Sequence, residues 1–180
     1  MKHLLILLIS ILLLSSPLYG DNHKGETLYG WETSSGFVWK GYGDKEFQDY
    51  YVGEWKNGKP NGLGVMIYTN YKSKYQFIVK RKGKYIGEWK DGKWNGQGIH
   101  KNKFQDTFVG EFRNDIYWEG TLYDYDGEIM GKFENGKGTV EDFTGKYVGG
   151  YKNGIRWKGK MYDINDNLKY EYVNGKEIKQ

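Results

Sequence analysis

The stretch Tyr51-Val52-Gly53-Glu54-Trp55 returns along the chain as Tyr85-Ile86-Gly87-Glu88-Trp89 and as Phe108-Val109-Gly110-Glu111-Phe112. Weaker copies read Ile129-Met130-Gly131-Lys132-Phe133 and Tyr147-Val148-Gly149-Gly150-Tyr151, and Gly30 marks a degenerate first copy. From Gly30 onward the central glycines are spaced 23, 34, 23, 21 and 18 residues apart. A period in this range signals a repeat architecture, in which each unit buries its apolar face only against its neighbours. Such a stack presents extended surfaces in place of a closed pocket.

The spacing inside each copy selects the element type. Marked residues alternate, so in an extended strand Tyr51, Gly53 and Trp55 all point to one face. Turn signals follow at Asn57-Gly58, Asp91-Gly92, Asn135-Gly136, Asn153-Gly154 and Asn174-Gly175, pairs that suit hairpin turns with positive φ. A second phrase lies beyond the turn: Trp94-x-Gly96, Trp118-x-Gly120 and Trp157-x-Gly159, with Trp39-x-Gly41 in the first copy. Gly62-Leu63-Gly64-Val65-Met66 and Gly96-Gln97-Gly98 alternate again. Each unit is strand, turn, strand. A glycine weakens a strand on its own, so its regular placement implies a gap in which a neighbouring strand's ring lies flat.

These residues resemble the MORN repeat (membrane occupation and recognition nexus), a Tyr-x-Gly-x-Phe/Trp strand followed by a Gly turn and Gly-x-Gly. Residues 51–66 and 85–99 carry the fullest copies, and the resemblance runs from about residue 28 to 175 as about six to seven units. What it implies is an all-β fold, an elongated antiparallel meander of stacked hairpins in one twisted sheet. The repeat positions are then structural: Tyr51, Gly53, Trp55, Gly62, Gly64, Tyr85, Gly87, Trp89, Gly96, Gly98, Phe108, Gly110, Phe112, Gly131, Phe133, Tyr147, Gly149 and Tyr151. Terminal units are expected to be atypical because they cap open sheet edges.

One interval resists the period. Gly53 to Gly87 spans 34 residues, eleven more than the regular step of 23, and the surplus contains Tyr75-Gln76-Phe77-Ile78-Val79, which reads as a strand. Either that strand pairs with a second short one, or the hairpin from Val65 is longer. The same interval holds Lys72, Lys74, Lys80, Arg81, Lys82 and Lys84 with no acid among them. Basic side chains beside Tyr75 and Phe77 form the composition that holds a protein at an anionic lipid surface. This is the expected contact site.

Lys2 and the apolar run Leu4–Leu14, followed by a short stretch with Pro17, form the three-part pattern of a signal peptide. The run is too short for a membrane span, which needs ~18 or more apolar residues. Residues 1–20 are read as a signal cut near Gly20-Asp21, leaving 21–180 as one repeat domain; an uncleaved N-terminal membrane anchor is the alternative. The chain is expected to be periplasmic, at the cell surface or secreted. Cysteine is absent, so no disulfide staples the fold. Stability rests on rings: 7 Trp, 17 Tyr and 8 Phe, with no alanine at all.

Chemistry is sparse. Removing Lys2 with the leader leaves 26 basic and 23 acidic residues, formally +3, too balanced for a nucleic-acid binder. His23 and His100 have no ligand-type neighbour at metal spacing and are expected to be exposed polar residues. Ser34, Ser35 and Ser73 sit in no nucleophile turn. Asp124-x-Asp126 and Asp163-x-Asn165 lack the glycine and glutamate of an EF-hand loop and read as polar turns between hairpins. Glu54, Glu88 and Glu111 recur at outward positions, facing Lys56, Lys90 and Arg113, and are assigned to the solvent face.

The resulting expectation is a non-enzymatic binding or scaffolding module without cofactor or metal, with anionic membrane lipid or a protein as partner. A carbohydrate binder that stacks sugars on rings is the alternative, and exposure of Trp94, Trp118 and Trp157 separates the two. Protein purified from its native host should start near Asp21, as read by N-terminal sequencing. An intact Met1 in soluble material contradicts the leader assignment.

Overall fold

The structure is a computed structural model and describes residues 27–45, 48–68 and 83–179. The leader assigned to 1–20, His23, the strand expected at 75–79 and all of the basic cluster except Lys84 lie outside those residues. What is described is all β: fourteen strands and no helix. The chain falls into two compact units that meet at Lys93/Trp94.

The first unit contains β1 (Thr27–Thr33), β2 (Gly36–Lys40), β3 (Tyr50–Lys56), β4 (Lys59–Tyr68) and β5 (Gly83–Lys90). All neighbours are antiparallel. The hairpins run in sequence except at the start, where β1 pairs with both β2 and β3 and leaves β2 on the outer edge. The long interval leaves the register intact. Strand β4 pairs directly with β5 from Gly62↔Trp89 to Tyr68↔Gly83, so the surplus residues connect two neighbouring strands at one edge of the sheet.

The second unit begins in β6 (Lys93–Lys101) and continues through β7 (Thr107–Arg113), β8 (Ile116–Tyr123), β9 (Ile129–Glu134), β10 (Lys137–Asp142), β11 (Gly145–Lys152), β12 (Ile155–Tyr162), β13 (Leu168–Val173) and β14 (Lys176–Lys179). It is an antiparallel meander in sequence order. Six-residue β9 and β10 are shorter than eight-residue β8 and β11. Past the tip of the short hairpin β8 and β11 meet, pairing Ile116 with Lys152, and Asn153 N–H donates to Asp115 C=O at 2.8 Å. The compressed copy at Ile129 therefore curls the sheet toward its aromatic face. This explains the parallel stacking of Tyr117 on Tyr151, three strands away, at 5.5 Å between centroids.

Every expected turn forms, with both central residues at positive φ, for example Asn57 at 51° and Gly58 at 71°. A sixth turn, Asn114-Asp115, does the same without glycine, at 50° and 70°. Asp115 holds this conformation because its carboxylate accepts from Trp94 N–H at 2.9 Å while its own N–H donates to Trp94 C=O at 3.1 Å. Corresponding bonds link three other turns to the hairpin before them: Gly92 to Pro60, Gly136 to Trp118 and Gly175 to Trp157, at 2.8–2.9 Å.

In each unit the core is one face of the sheet. It holds Leu28, Tyr51, Met66, Tyr85 and Trp89 in the first unit, and Phe108, Phe112, Tyr117, Leu122, Phe133, Val140, Tyr147 and Met161 in the second. Glycines pair across strands beneath these rings: Gly53↔Gly64↔Gly87, Gly98↔Gly110↔Gly120 and Gly138↔Gly149↔Gly159. Tyr51 leans two residues along the sheet, so its ring covers Gly64 of the neighbouring strand and its hydroxyl covers Gly53. That hydroxyl donates to Glu54 C=O at 2.5 Å, and Tyr85 and Tyr147 repeat the bond to Glu88 and Gly150 at 2.9 Å. Rings then pack edge to face at about 5–6 Å: Tyr51 on Trp89, Phe108 on Phe112, Phe133 on Tyr151 and Tyr147 on Tyr172. Each such pair adds ~0.5–1.5 kcal/mol beyond area burial.

A side chain at Gly53 would meet the Gly64 Cα and the Leu63 carbonyl at 2.5 Å, both backbone. Gly53→Val should cost roughly 1–3 kcal/mol through overpacking, read as a lowered urea midpoint. Gly41, with no atom within 4 Å of an added Cβ, should accept alanine with a change under about 0.5 kcal/mol.

Candidate binding surface

Three surfaces remain once the ring face is spent on the core. The first is the outer face. Glu111 is paired with Arg113 at 2.6 Å and Lys160 with Glu171 at 3.4 Å, as expected for a solvent face. One depression on it, about 660 Å³, is lined by Glu119, Thr121, Lys132, Glu134 and Thr139 and lies open along the sheet. Exposed pairs of this kind each contribute a few tenths of a kcal/mol.

The tryptophans divide by their distance from the turn. Trp94 is the second residue after Gly92, is 2% exposed, and packs against Phe112 and His100. Trp118 and Trp157 stand one residue further from their turns, at bulges opposite Glu111/Phe112 and Gly150/Tyr151. With a side-chain period of two, one extra residue moves a ring to the other face. Tyr117 and Arg156 take the inner position there. Trp118 lies over Gly136 and Trp157 over Gly175, each 3.2 Å from a Cβ built on that glycine. Arg113 sits over Trp118 at 4.2 Å and Lys152 over Trp157 at 4.9 Å. None of the three stands clear as a stacking platform, which disfavours the sugar-binding alternative. Gly120 and Gly159 likewise correspond to Gly64 and Gly98, not to Gly96. Gly62 and Gly96 instead sit at positive φ, 96° and 65°.

His100 corrects the expectation of an exposed polar residue. It is 5% exposed, and its Nδ1 is 2.6 Å from the Tyr117 hydroxyl. Burial holds its pKa down at about 3 and pushes the Tyr117 hydroxyl well above the ordinary tyrosine value. His100 alternates onto the core face with Gly98, a placement legible in the strand pattern; its partner Tyr117 was not. Arg156 is a second polar side chain on this face. It reaches Asp142 at 3.3 Å and lies 5.3 Å from the Tyr147 ring centroid.

The two remaining surfaces are the sheet edges. Hairpin turns occupy one edge. In the first unit Lys56 and Lys59 bracket Asn57-Gly58, and Lys90 and Lys93 bracket Asp91-Gly92; all four lysines are exposed. Connections between hairpins occupy the other edge, and three of them in the second unit share one geometry: 102–106, 124–128 and 163–167. In each, the first residue's N–H and C=O bond the fifth and fourth residues' backbone at 2.9–3.1 Å. Its side-chain oxygen accepts from the fifth N–H at 2.8–3.0 Å. The fourth residue has positive φ: Gln105 76°, Gly127 87° and Asp166 62°. The runs read as polar turns are these loops, and their carboxylates serve the loop backbone. Among the described residues no cluster of three or more His, Asp or Glu side chains is placed to hold a metal ion.

Of the expected lipid-contact residues only Lys84 is described. It is exposed at the start of β5, on the inter-hairpin edge of the first unit. The MORN repeat family matches the chain at residues 51–73 and 85–101, the two fullest copies. No curated protein matches it.

Because the folded state keeps His100 neutral while the unfolded state protonates it near pH 6.5, its contribution is complete above pH 6.5 and is lost as pH falls toward 3. The loss is ~1.4 kcal/mol per pH unit, or roughly 3 kcal/mol by pH 4. His100→Gln should flatten the difference in urea stability between pH 7 and pH 4 by that order.

Proposed function

Taking as premise that this chain is a MORN-repeat protein, and that such repeats are generally binding or scaffolding modules, we propose an exported, non-catalytic module that holds an anionic membrane surface or a protein partner. The observation that carries the reading is the repeat itself. Stacked hairpins set equivalent side chains at intervals of about 10 Å along both edges, two strands at ~4.8 Å each, which suits a ligand that is itself extended.

The lipid contact we assign to Lys72, Lys74, Tyr75, Phe77, Lys80, Arg81, Lys82 and Lys84. Tyr68 and Gly83 are paired neighbours, so both ends of the connection carrying these residues are anchored on adjacent strands. Each basic group near an anionic surface supplies about 1 kcal/mol, and that attraction is screened over ~10 Å at 0.1 M salt.

The test is sedimentation of the purified protein with anionic and with neutral vesicles at low and high salt. Binding to anionic vesicles alone, lost on high salt and on changing Lys80, Arg81 and Lys82 together to Gln, is the expected outcome. Binding indifferent to lipid charge or to the triple change removes this site.

A further inference from the structure

The inter-hairpin edge of the second unit carries a row of large apolar side chains that the fold does not use. Each successive connection exposes one at its tip: Phe104 is 62% exposed, Tyr125 75%, Phe143 95% and Ile164 77%. A single exposed ring is ordinary on any surface. Four in consecutive connections, all on one edge and about 10 Å apart by strand spacing, form a line some three steps long.

The charge around this line is net acidic. The four seven-residue windows 101–107, 123–129, 141–147 and 163–169 contain eight acids and four lysines. Lys146 is paired with Asp166 at 2.5 Å, Asp142 with Arg156 at 3.3 Å, and Lys103 lies over the Phe104 ring at 5.0 Å; six of the acids are left for a partner. The turn edge of the first unit is the opposite. Windows 55–60 and 89–94 contain Lys56, Lys59, Lys90 and Lys93 against the single acid Asp91. Both edges also repeat at the same two-strand pitch, because each follows from the same hairpin stacking.

We propose that the inter-hairpin edge of the second unit docks on the lysine-bracketed turns of the first unit of another copy of this chain. Apolar tips would cover the lysine stems and the bare turn backbone while the loop carboxylates meet the ammonium groups. The acids disfavour an anionic bilayer as the occupant of this edge. The contact is heterologous, so a pair of copies leaves one edge of either kind to which a further copy can add. Scaled by their exposure of 62–95%, three rings of roughly 150–250 Å² each and Ile164 fall short of the ~800 Å² per partner of a stable complex. The association is therefore weak. It does not depend on the lipid reading, whose site lies elsewhere in the chain.

Sedimentation velocity on the protein purified from its expressing cell, from about 10 µM to about 1 mM, should show a sedimentation coefficient that rises with concentration. Raising salt to about 0.5 M should weaken association about tenfold or more. Tyr125→Ser/Phe143→Ser and Lys59→Glu/Lys90→Glu, all at exposed positions, should each give a folded monomer by circular dichroism. Mixed one to one, the two variants should form a heterodimer, because each keeps the edge that the other lacks. A monomer at every concentration overturns the proposal. So does association that salt strengthens, a variant that still associates alone, a mixture that stays monomeric, or vesicle binding by the apolar tips without self-association.

Discussion

A flat ring over a pair of facing glycines is the contact on which this fold depends. A single sheet has no second layer to bury its apolar face, yet Tyr51, Tyr85, Phe108 and Tyr147 have no exposed surface. They achieve this by lying along the sheet, where Gly64, Gly120 and Gly159 leave the backbone bare. The tyrosine hydroxyls then reach a carbonyl three residues on, satisfying a buried polar group within the same repeat. The next ring packs edge-on against the first. Aromatics thus serve as both layers of the core, which is why alanine and a larger aliphatic complement are dispensable.

The distance from turn to glycine controls what else reaches that face. In the two fullest copies six residues separate Gly58 from Gly64 and Gly92 from Gly98, with a positive-φ glycine between. Asp115 to Gly120 and Gly154 to Gly159 are five. Both spacings return the facing glycine to register, through different bulges, and place different residues beside the turn: Pro60 and Trp94 in one class, Tyr117 and Arg156 in the other. The first class places an apolar residue, Pro60 or Trp94, at that position. The second admits the His100–Tyr117 contact and the Arg156–Asp142 pair.

Much of this could be read in advance, because period-two alternation and Asn-Gly turns act through local geometry. The six first-strand phrases and five turns needed no knowledge of the fold. The Asn114-Asp115 turn escaped because its support, the Trp94 backbone, lies a strand away. The similar phrases around Trp94 and Trp118 concealed opposite faces, although counting from the turn would have separated them. The alternation with Gly98 puts His100 on the core face, but its polar partner there, the Tyr117 hydroxyl, lies seventeen residues later and has no local signal. The apolar loop tips are not legible in the sequence, because a lone Phe, Tyr or Ile in a polar run carries no periodic signal. Their alignment exists only after the strands are stacked.

The amide bonds that tie four of the turns to the preceding hairpin slow their exchange with solvent. A two-residue turn at a sheet edge ordinarily surrenders its amide hydrogens early, since local fraying suffices to open it. Here the N–H groups of Gly92, Asp115, Gly136 and Gly175 donate outside their own hairpins, so releasing them requires neighbouring repeats to part. Deuterium uptake at these four amides reports on separation between repeats, whereas uptake at the opposite loops reports only on each loop's own closure. Within each unit, the pattern of slow and fast edges is a direct reading of how far one repeat's stability is borrowed from the next.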